Sequence, residues 1–311
     1  MRKPIALLAA HRRVGSPRGV ASLTVTFAMA LLIAGCGGGG ASGSQTIVEA
    51  AATQGSATVK PTPGYPGSVV ILGDSRGTGA DSDPKRHIDV PSNDWATGTN
   101  PAVDSVYLRL LARDPAIKGH NYNLAQDGTN VDVLAYNQAP RAVKLTPAPQ
   151  LFLISTGGND MTTCPAHPAD VKAYGAALAK ALSVLASGAP QSHTFIVSQW
   201  GSPATTAKAL PTLDRQQLGG QGYSCTFFDA NGRVMPNKMA QVEATIHSYD
   251  AEAQAVCARF SHCRYDGGAF GHVVDKLSYF SENLQELSIA GHAKAAAVAW
   301  AAMQRTGIIP H

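Results

Sequence analysis

The sequence predicts an α/β domain built on a parallel sheet with helices on both faces. Three observations carry this reading. Uncharged apolar runs of strand length recur along the chain, and stripes of apolar residues at helical spacing lie between and after them. No internal repeat or second linker interrupts the stretch after about residue 66, so these elements belong to one domain, 67–311. Strands alternating with helices bury a parallel sheet between two helical layers.

The elements follow in order. Val69-Val70-Ile71-Leu72 is a buried strand ending in Gly73, and His120 to Leu124 is a weaker one. Leu151-Phe152-Leu153-Ile154 and Phe195-Ile196-Val197 are further buried strands. Val171, Tyr174, Leu178, Leu182 and Leu185 form a helical stripe, stopped by Gly188 and Pro190. Met239, Val242, Ile246, Tyr249, Ala253, Val256 and Phe260 form a second stripe. Ile289, Ala293, Ala296, Trp300 and Met303 form a third, with Ser288 as its N-cap. Residues 200–234 are Gly-rich and irregular and are expected to run as an excursion over one edge of the sheet, pinned by Cys225.

The chain has 311 residues, 44% apolar and 15% charged, ample for a core and unlike a disordered acidic chain. Its formal net charge is +4 and it has five cysteines. Both trace to the N-terminus. Arg2, Lys3, Arg12, Arg13 and Arg18 precede an uncharged run from Gly19 to Gly35 that ends in Ile33-Ala34-Gly35-Cys36. A basic region, an apolar region and small residues before a cysteine predict a signal peptide over 1–35. The ending resembles a bacterial lipobox, which implies that Cys36 becomes the lipidated N-terminus of an exported protein anchored to the cell envelope. Residues 36–66, rich in Gly, Ala, Ser, Thr and Pro, read as a flexible tether. Without 1–35 the chain carries 20 Lys and Arg against 21 Asp and Glu, a net of −1. No basic stripe remains, so nucleic acid is not an expected partner. Cys164, Cys225, Cys257 and Cys263 are left, an even number for an oxidising compartment. Of three pairings, Cys257–Cys263 and Cys164–Cys225 are expected; the spacing is not that of a zinc site.

In a parallel sheet the ligand site lies beyond the C-terminal strand ends. Gly73-Asp74-Ser75-Arg76-Gly77 follows the first strand and sets a serine on a tight turn into a helix, suited to a nucleophile whose own N–H is an oxyanion donor. Asn123-Leu124-Ala125-Gln126-Asp127-Gly128 follows the second, and Gly128 lets its backbone N–H approach a ligand. Gly157-Gly158-Asn159-Asp160 follows the third, where Asn159 offers a side-chain amide.

Taken in order, these three blocks resemble the SGNH hydrolases, the GDSL family of serine esterases and lipases, over residues 67 to about 306. The resemblance implies a flavodoxin-like three-layer α/β/α fold with about five parallel strands. It also implies hydrolysis of an acyl ester through an acyl-enzyme on Ser75, with Gly128 and Asn159 as oxyanion donors. No cofactor is called for, and a monomer is expected. The first block also fits the Gly-Xaa-Ser-Xaa-Gly elbow of α/β-hydrolases, but that elbow follows several strands, and here there is room for one.

The last block departs from the family's Asp-Xaa-Xaa-His. Asn283-Leu284-Gln285-Glu286 puts Asn283 where the family has Asp and Glu286 where it has the catalytic His. His292 follows six residues later. A free carboxyl, with a pKa of about 4.3, is some two units weaker as a base than imidazole, unless burial raises it. Asn283 fits a carboxylate base and a lost one alike, since without an imidazolium an orienting carboxylate has no role and two neighbouring carboxylates would repel. Candidates for the base are Glu286 by alignment, His292 by chemistry and, more weakly, His272. Three functions follow: an ester hydrolase with a non-standard base, a catalytically impaired protein that binds an acyl or glycan ligand, or a structural lipoprotein. The intact first three blocks argue against the third.

Overall fold

The computed structural model describes residues 60–84 and 88–311. The leader, Cys36 and most of the tether fall outside these residues. Residues 62–67 already hydrogen-bond to the domain, through Thr62 N–H to Asp114 Oδ1 at 3.1 Å and Gly67 N–H to Gln150 Oε1 at 2.8 Å.

Five strands form one parallel sheet in the order β2-β1-β3-β4-β5. They are β1 (Val69–Gly73), β2 (Asn121–Asn123), β3 (Leu151–Ser155), β4 (His193–Ile196) and β5 (Cys263–Tyr265). β1 and β3 pair from Val69 with Leu151 to Gly73 with Ser155. Alternation along the strands makes two cores. Val69, Ile71, Leu151, Leu153 and Phe195 face one side, while Val70, Leu72, Phe152, Ile154 and Ile196 face the other. The first side is covered by α2 (Val106–Arg113) and α9 (Ile289–Arg305). The second is covered by α5 (Pro168–Gly188), α8 (Pro236–Cys257) and the segment made of α3 (Val131–Val133), a π turn over Leu134–Gln138 and α4 (Ala139–Ala142). The result is the expected three-layer α/β/α arrangement.

The four strands read from apolar runs are present, as are the three helical stripes. Ser288 caps α9 by accepting from Gly291 N–H at 3.1 Å. β5 is Cys-Arg-Tyr, too short and too polar to show as an apolar run. The excursion is less irregular than its composition suggests. It contains α6 (Pro203–Ala209), opened by a Ser202 capping box, and α7 (Thr212–Gly220). A small separate core of Leu210, Phe228 and Leu284 lies beneath it. Both expected disulfides are formed, Cys164–Cys225 and Cys257–Cys263. Among the described residues, no helix is long and apolar enough to cross a membrane.

Strand order reverses between β1, whose chain continues to β2 on one side, and β3 on the other. The crevice beyond the C-terminal ends of β1 and β3 is where an open α/β sheet binds ligands.

Candidate active site

The first block occupies that crevice. Gly73 ends β1 with φ at +126°, and a Cβ there would come within 1.7 Å of Ser155 O, so only glycine fits. Asp74 then caps α1 (Ser75–Thr78), its Oδ1 accepting from Arg76 N–H at 3.3 Å. As the first residue of a helix, Ser75 has a backbone N–H with no intrahelical acceptor. Gly77 is needed for close packing, since a Cβ would sit 2.6 Å from that of Ala125 in the second block.

Hydrogen bonds to backbone carbonyls hold the blocks in place. Asn123 Nδ2 donates to Gly77 O at 2.7 Å, and Gln126 N–H donates to Gly73 O at 3.0 Å. Thr129 Oγ1 donates to Gln126 O at 2.7 Å. Between them lies Gly128, exposed, with φ at +68° and open space where a side chain would be. Asn159 is exposed after β3, and its Nδ2 donates to Thr129 O at 2.9 Å. An amide nitrogen carries two hydrogens, so one N–H remains for a ligand. The next residue, Asp160, accepts from Val131 N–H at 3.2 and 3.3 Å and so holds the start of α3.

The last block closes the site. Glu286 is partly buried, with the Ser75 side chain within hydrogen-bonding reach of its carboxylate. Burial pushes its pKa up to about 7, against the pull of the Arg76 guanidinium and of Ser75; Asp74 and Asp127 add repulsion. Asp74 is likewise raised, to about 6, by burial opposed chiefly by Arg76, and Asp160 to about 6 by burial opposed by Val131 N–H. Arg76 therefore serves two acids, Asp74 and Glu286, and its Nη1 also reaches Gln199 Oε1 at 3.4 Å.

The imidazole candidates stand differently. His292 is 1% exposed in the first turn of α9, and its Nδ1 has no hydrogen-bond partner. Burial, helped by Arg76, drives its pKa down to about 3, so it is neutral and a weak base. His272 lines another groove, with Glu243, His247, Asp250 and Tyr265. Asn283 does not touch an imidazole. Its Oδ1 accepts from Ser281 Oγ at 2.7 Å, Gln285 N–H at 2.8 Å and Glu286 N–H at 3.0 Å, and its Nδ2 donates to Asp81.

Several residues that shape the site carry no sequence signal. Gln138, fully buried in the π turn, clamps Gly73 from both sides, accepting from its N–H at 2.7 Å and donating to its carbonyl at 2.8 Å. Asp94 accepts from Ala96 and Thr97 N–H, Thr97 Oγ1 and Asn123 Nδ2, which fixes the start of the second block. Isolated Gln and Asp residues outside any motif give no reason to be singled out.

Comparison with known proteins gives one family match, GDSL-like Lipase/Acylhydrolase, over residues 69–266. No curated protein matches significantly. Among solved structures, a Parabacteroides merdae protein described as a GDSL-like lipase is 14% identical, with 81% of this chain and 99% of that one covered and a TM-score of 0.49. Phospholipase A1 from Streptomyces albidoflavus is 16% identical, covering 76% and 99%, with a TM-score of 0.45. An α/β hydrolase from the Lake Arreo metagenome is 19% identical, covering 76% and 94%, with a TM-score of 0.46.

Proposed function

The chain belongs to the GDSL-like lipase/acylhydrolase family, and on that premise we propose that it hydrolyses acyl esters through Ser75 with Glu286 as general base. What supports this reading is a partly buried carboxyl within hydrogen-bonding reach of the Ser75 side chain, its pKa lifted to about 7. Imidazole has a pKa of about 6.5, so the deficit of an ordinary carboxylate as a base is removed by burial.

The steps follow from these positions. Glu286 takes the Ser75 hydroxyl proton as Oγ attacks the ester carbonyl carbon. The negative charge on the carbonyl oxygen is met by the N–H groups of Ser75 and Gly128 and the free N–H of Asn159. The tetrahedral intermediate collapses, and the alkoxide leaves with the proton held by Glu286. Water then attacks the acyl-Ser75 carbonyl while giving a proton to Glu286, and the carboxylic acid departs as Oγ recovers that proton. His292 serves packing in α9 in this scheme.

The test uses a fluorophosphonate probe and a soluble short-chain chromogenic ester. Ser75 is expected to be labelled in the native protein and not in Ser75→Ala, and Glu286→Gln is expected to lower kcat by about 10²-fold or more, the scale of a lost general base. No labelling between pH 4 and 9, with thermal stabilisation by the ester but no turnover, would point to a ligand-holding protein instead.

The reading extends to location. The leader pattern supports export and lipidation at Cys36, and the two disulfides suit an oxidising compartment. Cys36→Ser is expected to release the protein from the membrane fraction and to abolish labelling by a lipid precursor.

A further inference from the structure

Glu286 lies on a loop held in an unusual way. Ser281 N–H donates to Glu286 O at 2.9 Å, and Leu284 N–H donates to Ser281 O at 3.0 Å, closing a tight turn. Within it Leu284 has φ at +65°, a region that a branched side chain disfavours. Such a conformation persists only where its surroundings over-determine it. The surroundings here are the excursion. Leu284 is 8% exposed and packs in one cluster with Phe228 at 2% and Leu210 at 3%, flanked by Leu218 and Phe280. This cluster is separate from both sheet cores.

The excursion grips the neighbouring residue as well. Gln285 Nε2 donates to Tyr223 Oη and to Gln221 Oε1, each at 3.1 Å. On its far side the excursion is fixed to the loop after Asn159, through Cys164–Cys225 and through Ser224 Oγ donating to Thr162 O at 2.7 Å. Residues 203–234 thus bridge the loop that follows the oxyanion amide and the loop that carries the carboxyl.

We propose that Phe228 and Leu284 are positioning residues, and that the small core they form holds Glu286 against Ser75. The assignment rests on Glu286 being the base. Neither side chain touches the reacting atoms. Their effect passes through the left-handed turn at Leu284, two residues before Glu286. Without the docked leucine, the turn relaxes toward ordinary backbone angles, the carboxyl swings from Ser75 and water reaches it.

The experiment compares Phe228→Ala, Glu286→Gln and the double variant in the full chain, reading kcat and KM on a soluble short-chain ester and the rate of fluorophosphonate labelling of Ser75. Phe228→Ala is expected to lower kcat and the labelling rate tenfold or more with KM little changed. The acid limb of its pH profile should move at least one pH unit lower, as Glu286 loses its burial. In the Glu286→Gln background the same substitution should produce no further loss, and Phe228→Leu should recover most of the rate. If Phe228→Ala does not fold, Leu284→Ala removes the anchor while keeping a residue that disfavours the left-handed turn, and is expected to behave alike. A folded Phe228→Ala or Leu284→Ala variant with unchanged kcat and acid limb overturns the proposal, as does an equal loss with and without Glu286. A fully active Glu286→Gln would instead overturn the assignment of the base.

Discussion

At the scale of single residues, the question is how a glutamate can stand where the family carries histidine. A base must be free to accept a proton at the working pH, and in the proposed role Glu286 would meet that through burial rather than through its intrinsic chemistry. With the pKa at about 7, kcat/KM is expected to fall tenfold per pH unit below about pH 7 and to level off above it. A profile flat from pH 5 to 8 would count against Glu286. Arg76 pulls that pKa down, so Arg76→Met should shift the acid limb to higher pH while the protein stays folded. The sequence made Ser75, Gly128, Asn159 and Glu286 visible because each stands in a motif with fixed spacing. It did not decide among Glu286, His292 and His272, because that choice depends on burial and proximity, which are tertiary properties. Gln138 and Asp94 were invisible for the same reason.

At the scale of elements, legibility followed burial. β1, β3 and β4 have both faces covered, so they read as continuous apolar runs. β5 sits at the sheet edge and is three residues long, and its position is fixed by Cys263 joined to Cys257 at the end of α8. The helices α6 and α7 were hidden by glycines, threonines and a small core assembled from distant residues. The two disulfides should separate stability from activity. Cys257→Ser with Cys263→Ser opens a short loop (sequence separation 6) and is expected to cost about 2 kcal/mol by loop entropy, read as a lower Tm with kcat unchanged. Cys164→Ser with Cys225→Ser opens a loop ten times longer (separation 61), worth about 4 kcal/mol on the same scale, and should also lower kcat because it frees the excursion. Equal effects of the two pairs on kcat would remove any link between excursion and site.

At the scale of the whole molecule, the buried carboxyls of the domain, in the crevice and beyond it, give stability and activity opposite pH dependences. Burial is the leading cause in each case, and it raises Asp74, Asp160 and Asp250 to about 6 and Asp94 and Glu286 to about 7. A carboxyl with a folded pKa above its unfolded value binds more protons in the native state between those two pH values. Stability then falls as pH rises through that window, because unfolding releases the group to ionise in water. The contribution is full below about pH 4, the unfolded carboxyl value, and is lost by about pH 7. His292, with its pKa lowered to about 3, works the other way up to about pH 6.5, but the five carboxyls outweigh it, so Tm is expected to decline from pH 4.5 to pH 7.5, the interval in which Glu286 becomes able to accept a proton and kcat/KM rises. Glu286→Gln removes one titrating group from the window, so its decline in Tm should be shallower and its Tm at pH 7.5 higher than that of the native protein. Thermal unfolding across this range checks both points, and a Tm that climbs from pH 5 to 7 in the native chain, or a Glu286→Gln variant less stable at pH 7.5, would show that the crevice holds its carboxylates as stabilising charges rather than as strained ones.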